Sequence, residues 1–67
     1  MALKKVIEVL GSSTKSWEDA AEGMVKDAAK TVKGIKSVYI KEMSARVEGD
    51  KIVEYRLNGK ITFEVKN

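Results

Sequence analysis

Sixty-seven residues make one small domain, spanning 1–67, with no length left for a second. The chain is 43% hydrophobic, has one Trp, two Tyr and one Phe, and contains no Cys to staple it. A domain near 60 residues buries only ~60% of the surface its unfolded chain exposes, so a lone copy is expected to be marginal and to finish its core in a partner subunit. Thirteen basic against ten acidic residues give a net charge of +3. The signs are interspersed, as in KEMSARVEGDK, whereas a nucleic-acid binder gathers its cations on one face; no nucleic-acid partner is expected.

Other absences narrow the chemistry. The chain has no His, which removes Ser-His-Asp and Cys-His catalysis and imidazole metal sites. The lack of Cys removes disulfides, thiolate chemistry and zinc knuckles. MALKKVIEVLG carries no apolar stretch of signal-peptide length, and no run approaches the ~18–20 apolar residues that cross a bilayer. The expectation is a soluble, cytoplasmic protein with no membrane partner. No nucleophile and base stand at a recognisable spacing, so an enzyme is not expected.

Residues 3–10, LKKVIEVL, read as a first strand ending at Gly11. Leu3, Ile7 and Val9 fall on one parity and Val6 and Leu10 on the other, so both faces of this strand are expected to meet something. Gly11 to Lys15 is read as a strand-to-helix turn rather than as an anion nest, because GSS lacks the full phosphate-loop pattern. Ser16-Trp17-Glu18-Asp19 then resembles a capping box with Asp at the third position. Trp17, Ala20, Ala21, Met24, Val25, Ala28, Ala29 and Val32 follow at helical spacing. The prediction is one amphipathic helix of about five turns, with Trp17 as a packing anchor and Gly34 as the left-handed C-cap.

Residues 36–47 read as a second strand, with Val38 and Ile40 on one face and Tyr39, Met43, Ala45 and Val47 on the other. Glu48-Gly49-Asp50-Lys51 is a hairpin turn in which Gly49 supplies positive φ. From Val53 to Val65 every second residue is apolar or Gly, a period of two that predicts one long strand. Gly59 marks a bend or bulge in it, or else Asn58-Gly59 is a turn between two short strands. The fold predicted is α+β, β-α-β-β, with strands in antiparallel order 1-3-2 and one face on the helix. Two edges and one sheet face are left open, and assembly with further copies covers them.

The acidic residues show no calcium-loop spacing, and no metal ligands are assigned. Tyr39 and Arg56 fall on strand faces away from the helix. There they either line a site for a planar ligand or serve as ordinary interface residues.

The sequence resembles the dodecin family over nearly its whole length. VIEVLGSSTKSWEDAAEGMVKDAAKTVKGIKSVYIKEM is similar to the family's opening strand, turn, Ala-rich helix and second strand, and EYRLNGKITFEV to its closing strand. The resemblance implies a homododecameric hollow shell that stores flavin (FMN or riboflavin) in pairs between subunits, without turnover; some members also bind coenzyme A. Flavin-binding members stack the ring on a Trp that here corresponds to Ser37. They hold its edge with a Gln that here corresponds to Arg56, and Glu42 falls near an acidic position beside the flavin side chain. Relatives that lack the Trp include a branch associated with calcium. Ser37, Tyr39, Glu42 and Arg56 are thus the candidate binding residues, with flavin the first ligand and calcium or a ligand-free assembly the alternatives.

Overall fold

A computed structural model describes Leu3–Val65, so the outermost two residues at each end of the expected domain lie outside the described residues. The elements are β1 (Leu3–Ser13), α1 (Trp17–Ala29), β2 (Ile35–Glu48) and β3 (Lys51–Val65). They form one antiparallel sheet of order β1-β3-β2 with the helix on one face, as the hydrophobic pattern predicts.

The regular strand sits at the centre. β3 runs 15 residues without a break. At ~3.3 Å per residue that is roughly 50 Å, and the molecule's long axis measures 52 Å. The strand therefore runs the length of the subunit, and Asn58-Gly59 is neither a turn nor an interruption. Opposite it, the irregularity lies in β2, where the register slips between Ile40 and Glu42. A Cβ at Gly59 would come within 2.6 Å of the Tyr39 carbonyl oxygen and 3.4 Å of Met24 Cε. Only a bare backbone fits there. Gly59→Ala is expected to cost about 1–3 kcal/mol by overpacking, read as a fall in melting temperature. Gly23→Ala, where the added methyl meets nothing within 4 Å, is expected to move it the other way.

The slip in β2 corrects the face assignment of that strand. Past the bulge, Met43 pairs with Leu57 and Ala45 with Tyr55, which puts both on the helix side with Val38 and Ile40. A further irregularity, between Arg46 and Val47, returns Val47, paired with Ile52, to the far face. Tyr39 stays on the far face as expected, opposite Lys60. The first strand is also longer than its apolar run. Gly11, Ser12 and Ser13 pair with Leu57, Arg56 and Tyr55, so GSS is strand and the turn begins after it.

Ser16 caps the helix, its Oγ accepting from the Asp19 N–H at 3.0 Å. The box is only half closed, because Asp19 Oδ2 accepts from the Ser13 hydroxyl at 2.7 Å instead of reaching back to Ser16. That bond ties the helix start to the end of β1. The helix is 13 residues, under four turns, and ends at Lys30 in a right-handed conformation. Gly34 is left-handed, with φ +80°, but stands beyond the helix end, where its carbonyl accepts from the Glu64 N–H at 2.9 Å. Its task is to start β2 beside β3. Gly49 has φ +64° while Asp50 after it, like every non-glycine residue among those described, is not left-handed, the pattern of a type II′ hairpin.

The core is thin. Ala20, Met24, Leu57 and Ile61 are its fully buried apolar residues among those described. Val9, Trp17, Ala21, Val38 and Ile40 pack around them. Trp17 meets Tyr55 edge-on, with centroids 4.8 Å apart, and its Nε1–H donates to the Ser44 carbonyl at 3.0 Å. It is the anchor that joins the helix to both long strands. The chain exposes 5154 Å², where a compact monomer of its mass exposes about 4,200 Å². Its radius of gyration is 13.8 Å against about 11 Å for a compact chain of this length. The fold is more open and elongated than a compact monomer of this size.

Candidate functional site

The face of the sheet away from the helix is laid out in rows by the strand register. Val6, Thr62 and Ser37 form one row, and Glu8, Lys60 and Tyr39 the next. Leu10, Asn58 and Glu42 follow, then Ser12, Arg56 and Ser44. Near the hairpin the rows narrow to Glu54 with Arg46 and Ile52 with Val47. All four candidates from the sequence, Ser37, Tyr39, Glu42 and Arg56, lie on this one face and are exposed.

The four share a face but do not form one cluster. Ser37 is level with Thr62, and Arg56 lies six residues along β3, a separation of about 20 Å. Ser37 and Arg56 therefore stand toward opposite ends of the face rather than side by side. Ser37 itself offers a hydroxyl and no stacking surface. Tyr39, one row away, is the aromatic side chain of this face, since Tyr55 and Phe63 lie on the helix side with Trp17.

Charges on the face are mostly matched within the subunit. Glu54 Oε1 accepts from Arg56 Nε at 2.9 Å and from Arg46 Nε at 3.4 Å, while Arg46 also contacts Glu48. The hydrogen bond from Arg56 holds the Glu54 carboxyl below its ordinary value; burial opposes it, and the hydrogen bond from Arg46 adds to the lowering. With Nε engaged, the two Nη groups of Arg56 remain as donors. Lys41 lies 3.8 Å from Glu8. Glu42 has no cation within ion-pair distance among the described residues.

Sequence reasoning missed two features here. Glu54 reads as one more polar residue in an alternating strand, yet it orients Arg56. Asn58 reads the same way, but it occupies the centre of the face. A polar residue midway along the middle strand was the available signal.

This face exposes Leu10 (79%), Tyr39 (64%), Val47 (57%) and Val6 (56%) among rows of charged residues, while Met43 (58%) and Leu3 (54%) are exposed on the helix side of the sheet. A three-stranded antiparallel sheet of order β1-β3-β2 with one helix across one face and the other face open defines a β-α-β-β domain of the α+β class. The chain belongs to the Dodecin family, whose profile it matches over residues 3–66. It is 30% identical over 66 residues to the calcium dodecin of Mycobacterium tuberculosis, covering 98% of this chain and 93% of that protein. The crystal structure of the M. tuberculosis calcium dodecin, a calcium-chelating antigen with a calcium-binding site, superposes with a TM-score of 0.82 at 32% identity, covering 96% and 91% of the two chains. A single-residue variant of the Thermus thermophilus dodecin superposes with a TM-score of 0.94 at 21% identity over the whole of both chains, a likeness of fold.

Proposed function

We propose that this chain is a non-enzymatic small-ligand-binding protein whose copies close into a dodecameric shell, with the outward sheet face holding a planar ligand between subunits. A flavin, FMN or riboflavin, is the first candidate. The observation that carries this reading is the placement of Ser37, Tyr39, Glu42 and Arg56 together on the one sheet face that the helix leaves uncovered. The donor set fits a flavin: an exposed phenol ring for stacking, free guanidinium N–H groups for ring or side-chain oxygens, and an unpaired carboxylate for ribityl hydroxyls. When bound, the flavin is stored cargo, and the residues orient it and exclude water from its face.

Titration of riboflavin and FMN, followed by quenching of flavin fluorescence, tests the reading; no quenching with protein in clear excess overturns it. Stacking on an aromatic platform contributes roughly 1–3 kcal/mol per ring. Tyr39→Ala is therefore expected to weaken riboflavin binding about tenfold.

A second reading has its own support. The M. tuberculosis relative is named for calcium, and Glu42 is an uncommitted carboxylate on the outward face. Among the described residues no three acidic groups gather within one subunit, so a calcium site would pool Glu42 from several copies. Calorimetry with calcium at physiological ionic strength separates the two readings: heat with calcium and silence with flavin moves the assignment to the cation.

A further inference from the structure

The sheet has two free edges, and they differ. β2 forms one of them, and its pairing with β3 shifts register three times, at Ile35/Ser37, Ile40/Glu42 and Arg46/Val47. Bulges bend a strand and spoil its edge as a template for another. β1 forms the other edge and holds one register with β3 along all 11 of its residues, from Leu3 opposite Val65 to Ser13 opposite Tyr55. Its outer side has no strand partner among the described residues, so every second residue there turns its N–H and C=O away from the sheet. Between this edge and the helix a cavity of about 420 Å³ opens, lined by Val9, Gly11, Ala20, Gly23, Met24 and Ala28. A Cβ at Gly23 would meet nothing within 4 Å, so the helix leaves room beside β1 for a neighbouring chain.

We infer that the β1 edge pairs with the β1 edge of a second copy, antiparallel about a two-fold axis centred on Val6, so that two sheets become one. The inference rests on the reading that copies assemble, and on neither a ligand nor a particular number of copies. A two-fold contact sets the same patch of each copy against itself, and an axis normal to the sheet keeps every side chain on its own face. The pairing is therefore centred on a residue. Lys5 or Glu8 at the centre would put like charges directly opposite each other, which destabilises a sheet. Ile7 at the centre sets Lys5 against Val9 and Glu8 against Val6. Val6 is the one centre that puts Lys4 opposite Glu8, and the symmetry makes that pair twice. The same register puts Leu3 opposite Val9 on the helix side, also twice. Leu3, exposed in the lone subunit, then lies at the mouth of the cavity that Val9 lines. Val6, exposed as well, meets its own counterpart at the axis. Glu8 lies 3.8 Å from Lys41 within the subunit, and Lys4 of the second copy gives it a second cation.

The chain has no Cys, so Val6→Cys supplies a single thiol. Directly opposite Cβ atoms in a sheet stand about 4.5–5.5 Å apart, close to the span of a disulfide. Mild oxidation of the assembled protein is expected to link most chains in pairs, and to link few of them in urea. Lys4→Glu, which sets a carboxylate against Glu8, should raise the concentration at which the particle dissociates by about tenfold. Adding Glu8→Lys should restore most of that loss. The contact with Lys41 given up by the second change is an exposed pair, which contributes little. Val6→Cys chains that stay unlinked in a particle of wild-type size overturn the inference and leave assembly in place. A double variant as weak as Lys4→Glu overturns it as well, and serves as the test if the cysteine variant does not fold. A wild type that sediments as single chains at every concentration removes the assembly reading and this inference together.

Discussion

Leu10→Glu is expected to abolish self-association while leaving the subunit able to form its sheet. Leu10 is 79% exposed, so the isolated chain loses no packing when it is replaced. Surface substitutions of that kind stay within about 0.5 kcal/mol of neutral. In an assembly that covers the outward face the new carboxylate is desolvated beside the neutral amide of Asn58. An uncompensated buried charge costs about 3–5 kcal/mol, and the cost recurs in each copy. Sedimentation should show the large wild-type particle replaced by small species. The remaining protein should melt at a lower temperature that no longer depends strongly on protein concentration, since association stabilises by mass action. A Leu10→Glu particle of wild-type size would remove the outward face from the assembly interface.

Ile61→Ala is expected to unfold most of the protein at ambient temperature. Among the described residues Ile61 is the one fully inaccessible large side chain, at 0% exposure, and it lies between Ile7 on β1 and Val38 on β2. Truncating a buried Ile to Ala costs about 2–5 kcal/mol, the transfer term plus the cavity left behind. For a domain of this size each kcal/mol moves the melting temperature by roughly 4–8 °C. The reason for a large effect is the small number of buried neighbours available to close the gap. Circular dichroism melts and Trp17 emission check it, and Ile61→Val, at about 0.5–1.5 kcal/mol, gives the graded control. A full-length cooperative melt within a few degrees of wild type would mean that the core is larger than four buried side chains.

How much of this was legible beforehand differs from one element to the next. The alternation from Val53 to Val65 identified the central strand, because from Tyr55 to Phe63 its odd-numbered residues lie on the helix side of the sheet and its even-numbered ones on the far face. Ser16 announced the helix start, since a cap acts on N–H groups within one turn of itself. Gly49 marked the hairpin for the same local reason. The helix end was overestimated because the apolar stripe continues to Val32 in residues that pack without being helical, and Ala29, read as part of the stripe, is exposed. The site was legible as a face and not as a geometry. Tyr39 and Arg56 were placed correctly away from the helix, but their distance from Ser37 and the central place of Asn58 depend on register.

Cap, turn, period and element order were all determined by the amino-acid sequence itself, because each follows from dihedral preferences and side-chain spacing over a few residues. The bulge beside Gly59, the extension of β1 through Ser13 and the sides taken by Met43 and Ala45 were decided only in the tertiary structure. Those features arise where β2 and β1 pair with residues of β3 far along the chain. A one-residue slip between strands reverses every side chain beyond it at little local cost, so only the packed sheet selects the answer.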